Sequence, residues 1–297
     1  MLNIFTFIVK CKQNNLCLKT WMLQLVSMKM LNGSELAGFI KERQAKQVRA
    51  LRQSQGVQPK LAIVVTDLDN KVIDLYTRLK KQYGTDILVD VDVHRVAQTE
   101  VRELLNKLSK DPAVHAIIVQ LPLDDPSETD EIVALVDPAK DVDGLASGSR
   151  FEPATPMAIM WLLSGYNVNL AGKDVVLVGR GKLVGEPLEK MLLASGITPR
   201  VLVKETSDVP GEILKADVVI SATGVAGLIK PEMLKQGAVV VDAGVASEGG
   251  KTVGDVAPEV YEERDDLTIT PAKGGVGPLT VSALFENVIR AARAIEK

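Results

Sequence analysis

Short apolar runs alternate with amphipathic stretches along most of the chain. LAIVVT (61–66), ILVDVDV (87–93) and AIIVQ (116–120) read as strands, and helical spacing fills about 71–83, 99–109 and 128–136. After the polar stretch DPAKDVDGLASGSRFEPATP (137–156) the alternation restarts with VVLVG, a helix ending at Ala194, then RVLVK, ADVVISA and AVVVDAG. Strands that alternate with helices predict parallel sheets covered on both faces, so the fold class is α/β, in two units. The boundary falls near residue 148 in a Gly/Ser-rich loop, giving units 28–147 and 148–278. Residues 279–297 keep helical spacing and are long enough to cross back onto the first unit. At the other end Ser34 is expected to cap a helix carrying Leu36, Ile40, Ala45, Val48 and Leu51. Residues 1–27 are set apart: MLNIFTFIV is shorter than the ~20 residues a bilayer span needs, and the fold is expected to start at Met28 or Met30.

Composition narrows the function classes. With 297 residues and 46% hydrophobic content the chain can bury two cores. Lys+Arg 35 against Asp+Glu 38 leaves a net charge of -3 with no basic tract, which argues against a nucleic-acid partner. The two cysteines, Cys11 and Cys17, both lie in the segment set apart, and His94 and His115 are isolated, so no metal site is expected.

Four stretches carry candidate chemistry. In VVLVGRGKLVGEPLEKML (175–192) a strand, glycines at 179, 181 and 185 and a following helix place backbone amides where a pyrophosphate can sit, although a ligand-free glycine-rich turn reads the same way. SATG (221–224) and VDAG (241–244) put small residues just beyond strands, at the edge where open α/β sheets bind ligands. Tyr76 and Lys80 share a helix face, IVQLPL delivers Gln120 at a strand end before Pro122, and KDVDG places Asp143 on a loop. TPAKGGVGPLT (270–280) concentrates glycines between two elements, as close backbone approach to a ligand requires. Each alone is compatible with an ordinary surface helix or turn.

Taken in order, Tyr76-x-x-x-Lys80, VQLPL, KDVDG, PATP, the glycine turn, GDV (254–256) and GGVGPLT resemble the bifunctional methylenetetrahydrofolate dehydrogenase/methenyltetrahydrofolate cyclohydrolase family over roughly residues 28–297. The resemblance implies a catalytic unit, a Rossmann-like dinucleotide unit, a cleft between them, a cytoplasmic homodimer, tetrahydrofolate derivatives as substrates and no membrane partner. It implies Lys80 as the catalytic lysine, Tyr76 packing on the folate ring, Gln120 bonding near Lys80 and Asp143 holding the pterin. Val119, Leu121, Gly274, Gly275, Val276, Gly277 and Pro278 would line the folate. Thr155, Gly179, Arg180, Gly181, Gly185, Thr206, Ala222, Thr223, Gly224, Gly244 and Val245 would line the nucleotide.

The chain departs from the family at Gly181, Ala154 and Lys273, where Ser, Cys and Pro are common, and the stretch from Lys80 to Gly84 reads as one helical turn short. Two alternatives stay open: a monofunctional dehydrogenase, against which Lys80 argues, and a silent folate- or nucleotide-binding protein, toward which the departures point. For the cofactor, Glu205 fits the ribose hydroxyls of NAD, whereas Arg180 with Lys204, Thr206 and Ser207 fits the extra phosphate of NADP. The expectation is NADP, with NAD possible.

Overall fold

The computed structural model describes residues 28–67, 69–248 and 251–294; the segment 1–27 lies outside them. The described chain begins with a short strand, β1 (Lys29–Met30), and a long helix, α1 (Gly33–Gln55). The elements β2 (Lys60–Val65), α2 (Lys71–Asp86), β3 (Asp90–Arg95), α3 (Val101–Lys110), β4 (Ala116–Val119) and α4 (Thr129–Val133) follow. Their three strands pair in parallel in the order β3-β2-β4.

After α5 (Ala154–Gly165) the alternation restarts with β5 (Val175–Val178), α6 (Gly185–Ala194), β6 (Arg200–Leu202), α7 (Val209–Leu214), β7 (Val218–Ser221) and β8 (Val239–Asp242). An antiparallel pair, β9 (Ala246–Glu248) and β10 (Lys251–Val253), precedes α8 (Pro258–Glu263), β11 (Thr268–Ile269) and α9 (Val276–Ala294). The larger sheet is parallel throughout, in the order β1-β11-β8-β7-β5-β6. The α/β class expected from the alternation is what the chain adopts. β1 joins the edge of this larger sheet, although it lies ahead of the first unit in sequence.

Burial follows the period of two that an extended strand imposes. In β2, Leu61, Ile63 and Val65 face one core while Ala62 and Val64 face another, and in β5 Val175 and Leu177 part from Val176 and Val178 in the same way. Both faces are covered, which is why these strands read as unbroken apolar runs. The C-terminal helix returns as expected: α9 packs along α5 and α1. Its Phe285 is fully buried and stacks on Tyr83 of α2 at 5.0 Å between ring centroids. Burying one such ring is worth ~1.5–3 kcal/mol. Tyr83 also donates its hydroxyl to Gln44 Oε1 of α1 at 2.7 Å, and Gln44 Nε2 donates to the Ser282 carbonyl of α9 at 2.9 Å. The helix that carries Lys80 is thereby tied to two others.

Two local expectations need correction. Asn32, not Ser34, caps α1, its Oδ1 accepting from Glu35 N at 3.2 Å, while the Ser34 amide is taken by the Gly274 carbonyl at 2.9 Å. The strand predicted over 87–93 is displaced to 90–95, because Ile87 and Val89 are apolar for a different reason: they are buried beneath the end of α2. The helix α2 continues through Gly84 to Asp86, and Leu88, at φ 67, takes the left-handed turn after it. Gly84 is an interior contact, since a Cβ there would lie 2.4 Å from Val91 Cγ2.

Candidate active site

Asn70 starts α2 by accepting from the amides of Val72 and Ile73 at 3.0 and 3.3 Å, a cap worth ~1 kcal/mol. The inward face of that helix carries Ile73, Thr77, Lys80 and Gly84 at helical spacing, with Tyr76 half-buried one turn before Lys80. Gln120 comes from the other side, where the β4 ladder ends as its backbone N–H donates to the Val64 carbonyl at 2.8 Å. Lys80 Nζ donates to Gln120 Oε1 at 2.6 Å, and Gln120 Nε2 donates to the Leu121 carbonyl at 2.9 Å, so the amide oxygen is turned toward the lysine. Pro122 follows through a cis peptide bond, and Val119 and Leu121 flank Gln120, buried and half-buried.

Asp143 completes this group. Burial pushes the Lys80 ammonium below the ordinary lysine range and the Asp143 charge pulls it back up. The Asp143 carboxyl is pushed above the usual range by burial, with Lys80 opposing. Lysine and carboxyl thus share a poorly solvated corner, where burial favours the neutral form of each and the charge of the other opposes it.

The loop bearing Asp143 is fixed from three sides. Asp141 bridges to Ile117 of β4, and its Oδ2 accepts from Ala146 N at 2.8 Å. Gly144, at φ +71, lies where a Cβ would meet the Phe151 carbonyl at 2.7 Å. From α9, the fully buried Asn287 donates through Nδ2 to the carbonyls of Val142 at 2.9 Å and Glu152 at 2.8 Å. The glycine-rich loop enters from the opposite end of α9, where Val276, Gly277 and Pro278 are its first residues. Gly274 and Gly275 lie against the start of α1, so closely that a Cβ on Gly33 would be 1.8 Å from the Gly275 carbonyl oxygen.

The nucleotide turn follows β5. Gly179, at φ +94, has no room for a side chain, because a Cβ would lie 2.8 Å from the Ala222 carbonyl oxygen. Gly185 opens α6 with a Cβ position 2.3 Å from the Gly179 carbonyl oxygen. Both glycines serve the close packing of turn, helix and strand. Gly181 differs: a Cβ there meets nothing within 4 Å, so its surroundings are open. Arg180 is 52% exposed and paired through Nε with Glu189 at 2.6 Å, and Thr206 Oγ1 accepts from Val203 N at 3.0 Å. Gly224 and the exposed Val245 stand at the ends of β7 and β8.

The structure thus brings Lys80, Gln120 and Asp143 into one group and leaves Tyr76 on its margin. Thr155 stands beside α9, where its Oγ1 accepts from Thr280 Oγ1 at 3.4 Å. The sequence reading missed three residues. Asn287 is one, and a polar residue in the apolar stripe of the last helix was its only signal. Asp242 and Asp255 are the others, each ending or following a strand within quoted stretches. Among the described residues no group of His, Cys, Asp and Glu has the arrangement of a metal site.

Comparison with known proteins follows the same division. The catalytic-domain model of tetrahydrofolate dehydrogenase/cyclohydrolase matches residues 31–143, and the NAD(P)-binding-domain model of the same proteins matches residues 153–296. The bifunctional protein FolD 2 of Geobacter sulfurreducens is 40% identical over 278 residues, 89% of this chain and 96% of that protein. The crystal structure of the bifunctional FolD methylenetetrahydrofolate dehydrogenase/cyclohydrolase of Campylobacter jejuni has a TM-score of 0.83 at 35% identity, covering 90% of this chain and 99% of that one. The Trypanosoma brucei dehydrogenase-cyclohydrolase, solved with NADP cofactor and an inhibitor, has a TM-score of 0.83 at 29% identity, covering 90% and 98%.

Proposed function

The chain belongs to the tetrahydrofolate dehydrogenase/cyclohydrolase family, and from that premise we propose which of its residues carry the two activities. The protein is an NADP-dependent methylenetetrahydrofolate dehydrogenase and a methenyltetrahydrofolate cyclohydrolase. In the first step NADP accepts the hydride that leaves a carbon flanked by two nitrogens. The resulting cation is stabilised by those nitrogens, so the protein's task there is alignment. In the second step water adds to the methenyl carbon, a C–N bond opens and the formyl group remains on one nitrogen, with one proton released. Lys80 takes the proton from the attacking water as a neutral amine and returns it to the departing nitrogen. The observation that carries this role is the Lys80–Gln120 contact at 2.6 Å, in surroundings that lower the ammonium's pKa. Gln120 fixes the amine's position, Asp143 accepts from the pterin N–H and amino donors, and Tyr76 packs on the ring.

The nucleotide turn fits a dinucleotide. Gly179 lets the turn pack closely on the strand end beside it, open space surrounds Gly181, and the Arg180 side chain is 52% exposed. Arg180 and Thr206 would hold the extra phosphate of NADP, and Ala222, Thr223, Gly224, Gly244 and Val245 the nicotinamide end. An absorbance assay with methylenetetrahydrofolate and either NADP or NAD, alongside methenyltetrahydrofolate alone, tests both activities. Loss of either one in the purified protein contradicts the assignment.

A cytoplasmic homodimer is part of the same proposal. No described helix is long and apolar enough to cross a membrane. Leu193, Val203 and Leu214 are exposed in and around the end of the larger sheet that β6 forms, which supports a second copy there. Sedimentation equilibrium giving only monomer would oppose it.

A further inference from the structure

Asp255 is fully buried at the carboxyl edge of the larger sheet. Its Oδ2 accepts three hydrogen bonds: from Ser221 Oγ at 2.6 Å, Thr223 N at 2.7 Å and Thr223 Oγ1 at 2.9 Å. Its Oδ1 has no hydrogen-bond partner among the described residues and lies where a Cβ of Gly244 would be, 1.8 Å from that position. The carboxylate therefore fills the space a side chain at 244 would need. The backbone N–H of Asp255 donates in turn to Asp242 Oδ1 at 3.1 Å, an oxygen that also accepts from Gly244 N at 2.9 Å. Ser221 and Asp242 are register partners in β7 and β8, so Asp255 holds the end of β7 through its side chain and the end of β8 through its backbone N–H and its packing against Gly244. The loop it ties down continues to the turn, because the Ala222 carbonyl is the wall against which Gly179 packs.

We propose that Asp255 is a positioning residue of the nucleotide site, fixing the loops after β7 and β8 in one arrangement and so setting the cofactor's affinity without touching it. This rests on the dinucleotide reading of that edge. The carboxyl is suited to the task because one of its oxygens gathers three donors from the end of β7 and the residues after it. Folate binding and hydrolysis are assigned above to Lys80 and Asp143, which share no hydrogen bond with this cluster among the described residues.

The protein supplies its own control, since hydrolysis of methenyltetrahydrofolate needs no nucleotide. Titration of NADP into the full chain, with both activities and the melting temperature measured in parallel, tests the proposal. Asp255→Ala is expected to weaken NADP about tenfold or more and to lower dehydrogenase kcat/KM with it, while cyclohydrolase kcat and folate KM stay within about twofold. Asp255→Asn keeps an acceptor for the three donors, so it is expected to recover most of the affinity. Asp266→Asn, which breaks the remote pair with Arg264, should lower the melting temperature and leave NADP affinity unchanged. If Asp255→Ala does not fold, Ser221→Ala decides: about threefold weaker NADP with intact hydrolysis supports the proposal, and unchanged affinity overturns it. Unchanged NADP affinity in Asp255→Ala, parallel loss of both activities, equal losses in Asp255→Ala and Asp255→Asn, or equal weakening by Asp266→Asn would also overturn it. Failure of the unsubstituted protein to bind NADP would instead remove the dinucleotide reading itself.

Discussion

Replacing Asn287 by leucine removes the two hydrogen bonds through which α9 holds the cleft loops. The Val142 carbonyl is buried at this contact, and the Glu152 carbonyl is partly buried. Leaving a buried acceptor unpaired costs ~1–3 kcal/mol, and losing the second, wetter bond costs ~0.5–1.5 kcal/mol, for a total of about 2–4 kcal/mol. In a chain of this size each kcal/mol moves the melting temperature by ~2–4 °C, so the variant should melt about 5–15 °C lower. Leucine keeps the branching of asparagine and is the bulkier of the two, so none of this would come from a cavity, and crowding would only add to the loss. The functional consequence is specific. Val142 precedes Asp143, and releasing its carbonyl frees the loop that aims the carboxyl proposed to hold the pterin, so folate KM should rise while NADP affinity stays near that of the unsubstituted protein. Thermal denaturation with paired substrate titrations reads both effects. A melting temperature within about 2 °C of the original, together with an unchanged folate KM, would refute the claim that α9 braces this loop.

Further outcomes follow from other contacts. Asp143→Asn should raise folate KM about 10- to 100-fold, the equivalent of ~1.5–3 kcal/mol for a lost charge-assisted bond. It also removes the charge that opposes the burial-driven lowering at Lys80, so the acidic limb of the cyclohydrolase pH profile, where activity falls as Lys80 gains its proton, should move to lower pH; an unmoved limb would detach Asp143 from Lys80. Arg180→Ala should weaken NADP more than NAD, with the difference shrinking as salt rises, and equal losses would point to Glu205 as the discriminating residue. Gly181→Ser should be tolerated and tighten NADP, because its Cβ meets open space and its hydroxyl adds a donor; weaker binding would contradict that. Arg264 holds the Asp266 carboxyl down to about 2, so this pair stabilises the fold above the ordinary aspartate value and loses that contribution as pH falls through about 2. Asp266→Asn should therefore lower stability at neutral pH by ~2 kcal/mol and flatten the acid unfolding limb.

Periodicity made the two sheets legible because parallel strands covered on both faces are almost purely apolar, and nothing else in a chain of this composition reads that way. Boundaries were less legible wherever an apolar residue had a second reason to be apolar. Ile87 and Val89 read as strand but cover a helix end, and Leu88 adopts a left-handed conformation that glycine or asparagine would have signalled and leucine conceals. Ser34 was the more familiar cap, yet Asn32 took the role because the glycine-rich loop, 240 residues away, claims the Ser34 amide. The Lys80, Gln120 and Asp143 group could be named from ordered motifs, whereas its supports could not. Asn287 and Asp255 act through hydrogen bonds to groups far along the chain, and such partners leave no local pattern. Gly179, Gly181 and Gly185 looked equivalent in sequence; only the space around each separates packing glycines from the open one.

The most direct test replaces Lys80 by methionine, which keeps the length of the side chain and removes its titratable amine. Both activities of the purified variant are then measured at saturating methylenetetrahydrofolate and NADP, and separately with methenyltetrahydrofolate. Cyclohydrolase turnover should fall by ~10²–10⁴, the usual worth of a positioned acid–base group, while hydride transfer remains measurable. Cyclohydrolase activity persisting at the unsubstituted level would make Lys80 an ordinary lysine at the edge of a cleft and contradict its assigned role.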